Sequence, residues 1–151
     1  MKILMVCLGN ICRSPLAEGI LKQKIKERKL NWSVDSAGTG AWHIGELPDP
    51  RSIQTARKYD IDITDQRARQ FTAKDLKAYD LILAMDVSNE RNILKLDRDN
   101  QYSSKVKMIM NYLYPNENIS VPDPYWDDNG FEQVYEMLDK ACEQLIQVSS
   151  L

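Results

Sequence analysis

Cys7 and Arg13, with five residues between them, bracket a segment whose residue types could bind and attack a phosphate. It reads Cys7-Leu8-Gly9-Asn10-Ile11-Cys12-Arg13-Ser14-Pro15. Gly9 and Asn10 tolerate left-handed backbone angles, so the loop's amides could turn inward as an anion-binding nest. Arg13 can reach back and grip an oxyanion with a planar, two-pronged fork. A thiol at the mouth of such a nest, beside an arginine and a helix N-terminus, is favoured as the thiolate. The arrangement holds a nucleophile beneath a bound phosphate, which is the chemistry of covalent phosphoryl transfer. Two plainer readings compete. A Cys and an Arg at this spacing also pair by chance, and a Walker-type loop cradles phosphate without a cysteine. The Walker loop ends in Gly-Lys-Ser/Thr, which this segment lacks.

The setting favours the catalytic reading over both. Lys2 to Cys7 (KILMVC) is a continuous apolar, β-prone run, the pattern of a parallel strand covered on both faces. Ser14 suits an N-cap, Pro15 suits the first helical position and Glu18 falls in the first turn or just beyond it, so a helix is predicted from here to about Lys29, basic on its outer side. Further strands are predicted over Trp32–Ala37, Asp80–Met85 and Lys105–Met110, and helices over Pro50–Tyr59, Ser88–Leu96 and from Thr72 to Tyr79. From Gly130 the apolar residues fall on one helical face, with Cys142 among them as a core residue. Alternating strands and helices imply an α/β domain: a parallel sheet with helices on both sides, and ligands at the carboxyl ends of its strands. Cys7 stands at such an end.

A tyrosyl leaving group needs a proton, so the chemistry also wants a carboxylic acid. Val121-Pro122-Asp123-Pro124-Tyr125 offers Asp123 with its backbone restricted by the following proline. Asp127 and Asp128 read as a solvated acidic loop. Trp42, Tyr125 and Trp126 could wall a slot for a phenyl ring, with Leu8 and Ile11 as apolar floor and rim. Tyr59, Tyr79, Tyr112 and Tyr135 read as core packing instead.

The bulk numbers frame this. The chain has 151 residues, the usual size of one domain, with 43% apolar and 28% charged residues. We expect a single domain over 1–151. A net charge of −2 gives no global attraction to nucleic acid or to an anionic membrane, so anion recognition must be local. No apolar run reaches membrane-spanning length, and an odd count of three cysteines without a signal segment points to a reducing cytoplasm. The lone histidine, His43, lacks a ligand cluster and reads as a rim residue, so neither a metal nor a cofactor is expected.

Cys-Leu-Gly-Asn-Ile-Cys-Arg-Ser-Pro resembles the phosphate-binding loop of the low-molecular-weight protein tyrosine phosphatases. The resemblance continues in order through Asp35-Ser36-Ala37-Gly38-Thr39, Trp42-His43-Ile44-Gly45, Pro48-Asp49-Pro50-Arg51, Ala68-Arg69-Gln70, Ala84-Met85-Asp86 with Asn89, and Asp123-Pro124-Tyr125. It implies a small doubly wound domain with a four-stranded parallel sheet. The reaction it implies is hydrolysis of phosphotyrosine in protein substrates through a phosphocysteine on Cys7, with Arg13 gripping the phosphate and Asp123 as general acid. Phosphate or another oxyanion would fit the same loop. The resemblance also makes Asn10 and Ser14 members of a hydrogen-bond network that holds the loop. The family's histidine in that network is replaced here by Gln66, which cannot titrate. Arsenate reductases share the loop but need a further pair of thiols after the third strand, and Asp86 to Asn100 holds none. Arginine phosphatases usually carry Thr where Ile11 stands, which favours tyrosine. A phosphate binder without catalysis would not need Cys7. Cys12 has two readings: a small residue under a tight loop, or a thiol that condenses with oxidised Cys7 into a reducible disulfide. The resemblance points to the second.

Overall fold

The computed structural model describes residues 1–149. Four strands, β1 (Lys2–Cys7), β2 (Ser33–Gly38), β3 (Leu81–Ala84) and β4 (Val106–Met108), form one all-parallel sheet in the order β2-β1-β3-β4. The helices are α1 (Arg13–Arg28), α2 (Pro50–Lys58), α3 (Ala73–Ala78), α4 (Val87–Leu94) and α5 (Phe131–Ser149). This is the expected α/β sheet, and its pleat explains the apolar run of β1. Ile3, Met5 and Cys7 face a core shared with α1 and α5, whereas Leu4 and Val6 face a second core with Leu76 of α3 and Ile93 of α4. Each fully buried aliphatic side chain of this kind contributes roughly 1.5–3 kcal/mol.

β1 pairs with β2 on one side and β3 on the other, so the strand order reverses at β1. A crevice opens where such a reversal leaves the carboxyl ends uncovered. Cys7, aligned with Gly38 of β2, is the last residue of β1 and lies at that crevice.

Element ends differ from the sequence reading in instructive ways. β4 stops at Met108 because Ile109–Tyr112 tightens into a 3-10 turn. Helix α1 starts at Arg13, so Cys12 occupies the cap position and Ser14 is inside the first turn. The Ser14 hydroxyl is thereby released from capping. Glu18, just beyond the first turn of α1, is buried inside the molecule. Asp49 and Asp86, not singled out as caps from the sequence, cap α2 and α4 by accepting from the Arg51 and Asn89 amides. Thr72 does cap α3, in a box with Asp75.

Candidate active site

The loop from Cys7 to Arg13 is held from outside by its carbonyls. Thr39 and Gly40 amides donate to the Cys7 and Leu8 oxygens (both 2.9 Å), and the Asp49 amide to Ile11 (2.8 Å). The Ser52 hydroxyl donates to the Cys12 oxygen at 3.2 Å. With the carbonyls engaged outward, the opposite side of the loop is left to amides, the layout of an anion nest. Asn10 supplies the left-handed residue (φ 58°). Gly9 does not; its missing side chain instead leaves room for the His43 ring, 3.1 Å from where a Cβ would stand. At Gly38 a Cβ would meet the Leu8 oxygen at 2.7 Å, so β2 can approach the loop only as glycine.

Cys7 Sγ has two close polar neighbours: the Ser14 hydroxyl at 3.0 Å and the Asn10 amide, which donates to it at 3.3 Å. Behind them runs a buried chain. Asn10 Nδ2 donates to Ser14 Oγ (2.8 Å) and to Ser36 Oγ (3.0 Å). The Ser36 hydroxyl donates to Glu18 Oε1 at 2.6 Å, and Glu18 is paired with Lys22. Burial pushes the Glu18 carboxyl upward, and the hydrogen bonds from Lys22 and Ser36 offset part of that. Gln66 sits at the edge of the network, 3.5 Å from Ser36, and spends its amide on the Pro15 oxygen (3.1 Å). The anchor of this network is therefore Glu18, just beyond the first turn of α1, for which the sequence suggests no part in the site.

Arg13 is almost fully buried. Its Nη1 donates to Asp86 Oδ2 (2.7 Å) and to the Val121 oxygen (2.9 Å), which aims the guanidinium and leaves its other edge toward the cavity. Nη2 lies 3.9 Å from Asp123 Oδ2. Burial opposes the charge, but Cys7, Asp86 and Asp123 outweigh it and hold the guanidinium above its ordinary value. In the sequence Asp86 stands out only as part of the Ala84-Met85-Asp86 segment. Its role was signalled by the Asp86-to-Asn89 capping box, which also presents a carboxylate at the end of β3.

A cavity of about 280 Å³ opens over this floor. Cys7, Leu8, Gly9, Ile11, Cys12 and Arg13 line its base, and Trp42, His43, Asp123, Tyr125 and Trp126 its rim. All the candidate residues are thus brought together except Asn10 and Ser14, which stand behind the loop. Trp42 and Trp126 are 72% and 86% exposed, so their rings are walls with one free face. Tyr125 meets Trp126 edge-to-face at 4.8 Å. Asp123 is half exposed, and its Oδ1 accepts from the Tyr125 amide at 3.1 Å. Cys12 is buried beneath the loop; burial first, then Asp49, Cys7 and Asp123, pushes its thiol strongly upward and keeps it protonated. Cys142 is buried in the α5 core as expected, whereas Tyr59 is partly exposed and stacks on Tyr135 at 3.8 Å. Among the described residues, no group of three or more His, Cys, Asp or Glu side chains is gathered for a metal, and no helix is long and apolar enough to cross a membrane.

Residues 2–150 match the family model described as low molecular weight phosphotyrosine protein phosphatase. The chain is 35% identical to the low molecular weight phosphotyrosine protein phosphatase of Sus scrofa, over 96% of this chain and 93% of the relative. The crystal structure of YfkJ from Bacillus subtilis superposes with a TM-score of 0.93 at 36% identity, covering 99% of this chain and 94% of that one. That of a Drosophila arginine phosphatase gives a TM-score of 0.93 at 33% identity, covering 100% and 99%. Matched along its length and built around a strand-end cysteine, the chain belongs to the low molecular weight phosphotyrosine protein phosphatase family, whose members are cysteine-dependent protein tyrosine phosphatases.

Proposed function

We propose that this enzyme hydrolyses phosphotyrosine in proteins in two steps through a phosphocysteine on Cys7. The Cys7 thiolate attacks phosphorus and the phosphorus–oxygen bond to the tyrosyl group breaks. The Arg13 fork and the loop amides hold the equatorial oxygens as charge develops on them. Asp123 gives its proton to the departing phenolate. Water then attacks the phosphocysteine, Asp123 takes its proton, and inorganic phosphate leaves with Cys7 again a thiolate. The observation that carries this reading is the placement of Cys7 Sγ at the floor of an aromatic-walled cavity, with Asp123 on its rim and Arg13 Nη2 3.9 Å from that carboxylate.

The depth of the aromatic walls supports aryl over alkyl phosphates: a serine phosphate is short for a slot bounded by Trp42, Tyr125 and Trp126. Ile11, buried at the base, offers no hydroxyl to a guanidino group, which favours phosphotyrosine over phosphoarginine. A panel of otherwise identical peptides carrying phosphotyrosine, phosphoserine or phosphoarginine, assayed with and without EDTA, tests this. Phosphotyrosine is expected to be turned over fastest, unaffected by chelator. Faster hydrolysis of either other peptide overturns the specificity, and loss of activity with EDTA overturns the metal-free mechanism.

Cys12 lines the base of the same cavity as Cys7, which supports capture of an oxidised Cys7: peroxide would convert Cys7 to the sulfenic acid, and the Cys12 sulfur would displace water to form a disulfide. Cys12→Ser is expected to keep its initial activity yet recover poorly with dithiothreitol after peroxide. Full recovery excludes the switch. Such a thiol pair suits the reducing cytoplasm expected for this chain.

A further inference from the structure

The acid-bearing segment is shaped by short-range hydrogen bonds of its own, such as those from the Tyr125 amide to Asp123 Oδ1 and from the Asp127 amide to the Pro124 oxygen, but little of it is buried against the rest of the molecule. From Val121 to Gly130 only Val121 and Pro124 are buried. Its upstream end is pinned, since the Val121 amide donates to the Met85 oxygen at 2.8 Å and the Val121 oxygen accepts from Arg13 at 2.9 Å. Among the described residues, the side-chain hydrogen bonds that reach it from outside downstream of Asp123 come from one residue. Arg51, in the first turn of α2, donates from Nη2 to the Tyr125 oxygen (3.1 Å) and from Nη1 to Asp128 Oδ1 (2.6 Å). Its guanidinium also lies 5.6 Å from the Tyr125 ring centroid and 4.7 Å from that of Phe131.

The same guanidinium forks onto Asp49, Nε to Oδ1 at 3.0 Å and Nη2 to Oδ2 at 2.9 Å. Asp49 is 9% exposed, and its amide donates to the Ile11 oxygen of the phosphate loop at 2.8 Å. An unbroken path therefore runs from Ile11 through Asp49 and Arg51 to the Tyr125 backbone. Tyr125 is the residue whose amide holds Asp123 Oδ1. Only arginine, with its rigid array of donors, can grip Asp49 with two prongs while donating to two other oxygens.

We propose that Arg51 is a positioning residue for general acid catalysis, clamping the acid-bearing turn in register with the phosphate loop. The proposal rests on the reading of Asp123 as the acid. It differs from a merely structural role for the Asp49–Arg51 pair in what it does to the leaving group. A displaced acid matters most when the departing phenol is most basic.

The test is kcat/KM for Arg51→Met across aryl phosphates of rising phenol pKa, beside Asp123→Asn and the double variant. Arg51→Met should lose about tenfold or more on the most basic phenols and no more than roughly threefold on the most acidic ones, a partial version of the ~10²–10⁴-fold worth of a positioned acid. The double variant should lose no more than Asp123→Asn alone, because a clamp has nothing to position once the acid is gone. Arg51→Lys, which keeps the charge without the fork, should show the same slope in weaker form and serves if the Met variant does not fold. An equal loss on every phenol, no loss at all, or losses that multiply in the double variant would overturn the proposal. If Asp123→Asn itself shows no dependence on the leaving group, the acid assignment fails; if it does and Arg51→Met does not, only the clamp fails.

Discussion

The phosphate loop and the acid loop face each other across the same cavity and are built in opposite ways. Cys7, Asn10, Cys12, Arg13 and Ser14 are all buried, and carbonyls of the loop, the Asn10 side chain and the Arg13 guanidinium are all engaged by other elements. Asp123, Tyr125, Trp126, Asp127 and Asp128 are exposed, and the segment is tied from outside by Arg13 at Val121 and by Arg51 at Tyr125 and Asp128. The chemistry asks for this division. The phosphoryl group is the same in every substrate, so its cradle gains from being rigid and preorganised. The leaving group differs between protein substrates, so the acid and the aromatic rim gain from sitting where a varied surface can reach them.

The comparison can be broken at several points. Short of removing the nucleophile itself, the largest effect is expected at the exposed loop, where Asp123→Asn should reduce kcat/KM by about a thousandfold on basic phenols and much less on acidic ones. Steady-state assays over an aryl phosphate series measure this, and a uniform loss would remove Asp123 from the role of acid. Next comes the rigid loop. Arg13→Lys keeps one charge but loses the fork that serves Asp86, Val121 and the oxyanion together, so turnover should fall about a hundredfold for every leaving group alike. A loss that grew with phenol basicity would instead mean that Arg13 works mainly by steering Asp123. The smallest effect concerns what lies behind the loop. The Glu18 carboxyl is raised in the folded state by burial, so the folded protein binds its proton more tightly than the unfolded chain does. Stability from this group is present below the ordinary carboxylate pKa and is lost as pH rises through the raised one. The urea midpoint of the wild type should therefore fall across that window relative to that of Glu18→Gln. Parallel profiles would mean that the Lys22 and Ser36 contacts fully repay the burial.

The phosphate loop was legible in the sequence because it is local. A strand, a turn and a helix start lie within contiguous residues, and each has its own signature in residue type. The parallel sheet was legible for the same reason, through apolar runs such as Lys2–Cys7 and Leu81–Ala84. What stayed hidden depends on pairing across the chain. Asp86 reaches Arg13 only because β3 lies beside β1, with Val6 against Ala84. Ser36 and Glu18 meet behind Asn10 only because β2 takes the other side of β1 and α1 packs over it. Ser14 read as an N-cap because serine at a helix start usually is one. Here the loop's closure onto the helix puts Cys12 in that place and turns the serine toward the thiol. Arg51 fell at the start of the helix predicted over Pro50–Tyr59 and Asp49 just before it, and their joint grip on two distant loops has no signature in local spacing.

The most direct test of the account is to stop the reaction in acid during turnover of a phosphotyrosine peptide and map the phosphoryl group by mass spectrometry. The account predicts a phosphorylated peptide containing Cys7, with the group on sulfur, and none in Cys7→Ser, which should bind vanadate or phosphate yet turn over nothing. A phosphoryl group on any other residue, or sustained turnover by Cys7→Ser, would contradict it.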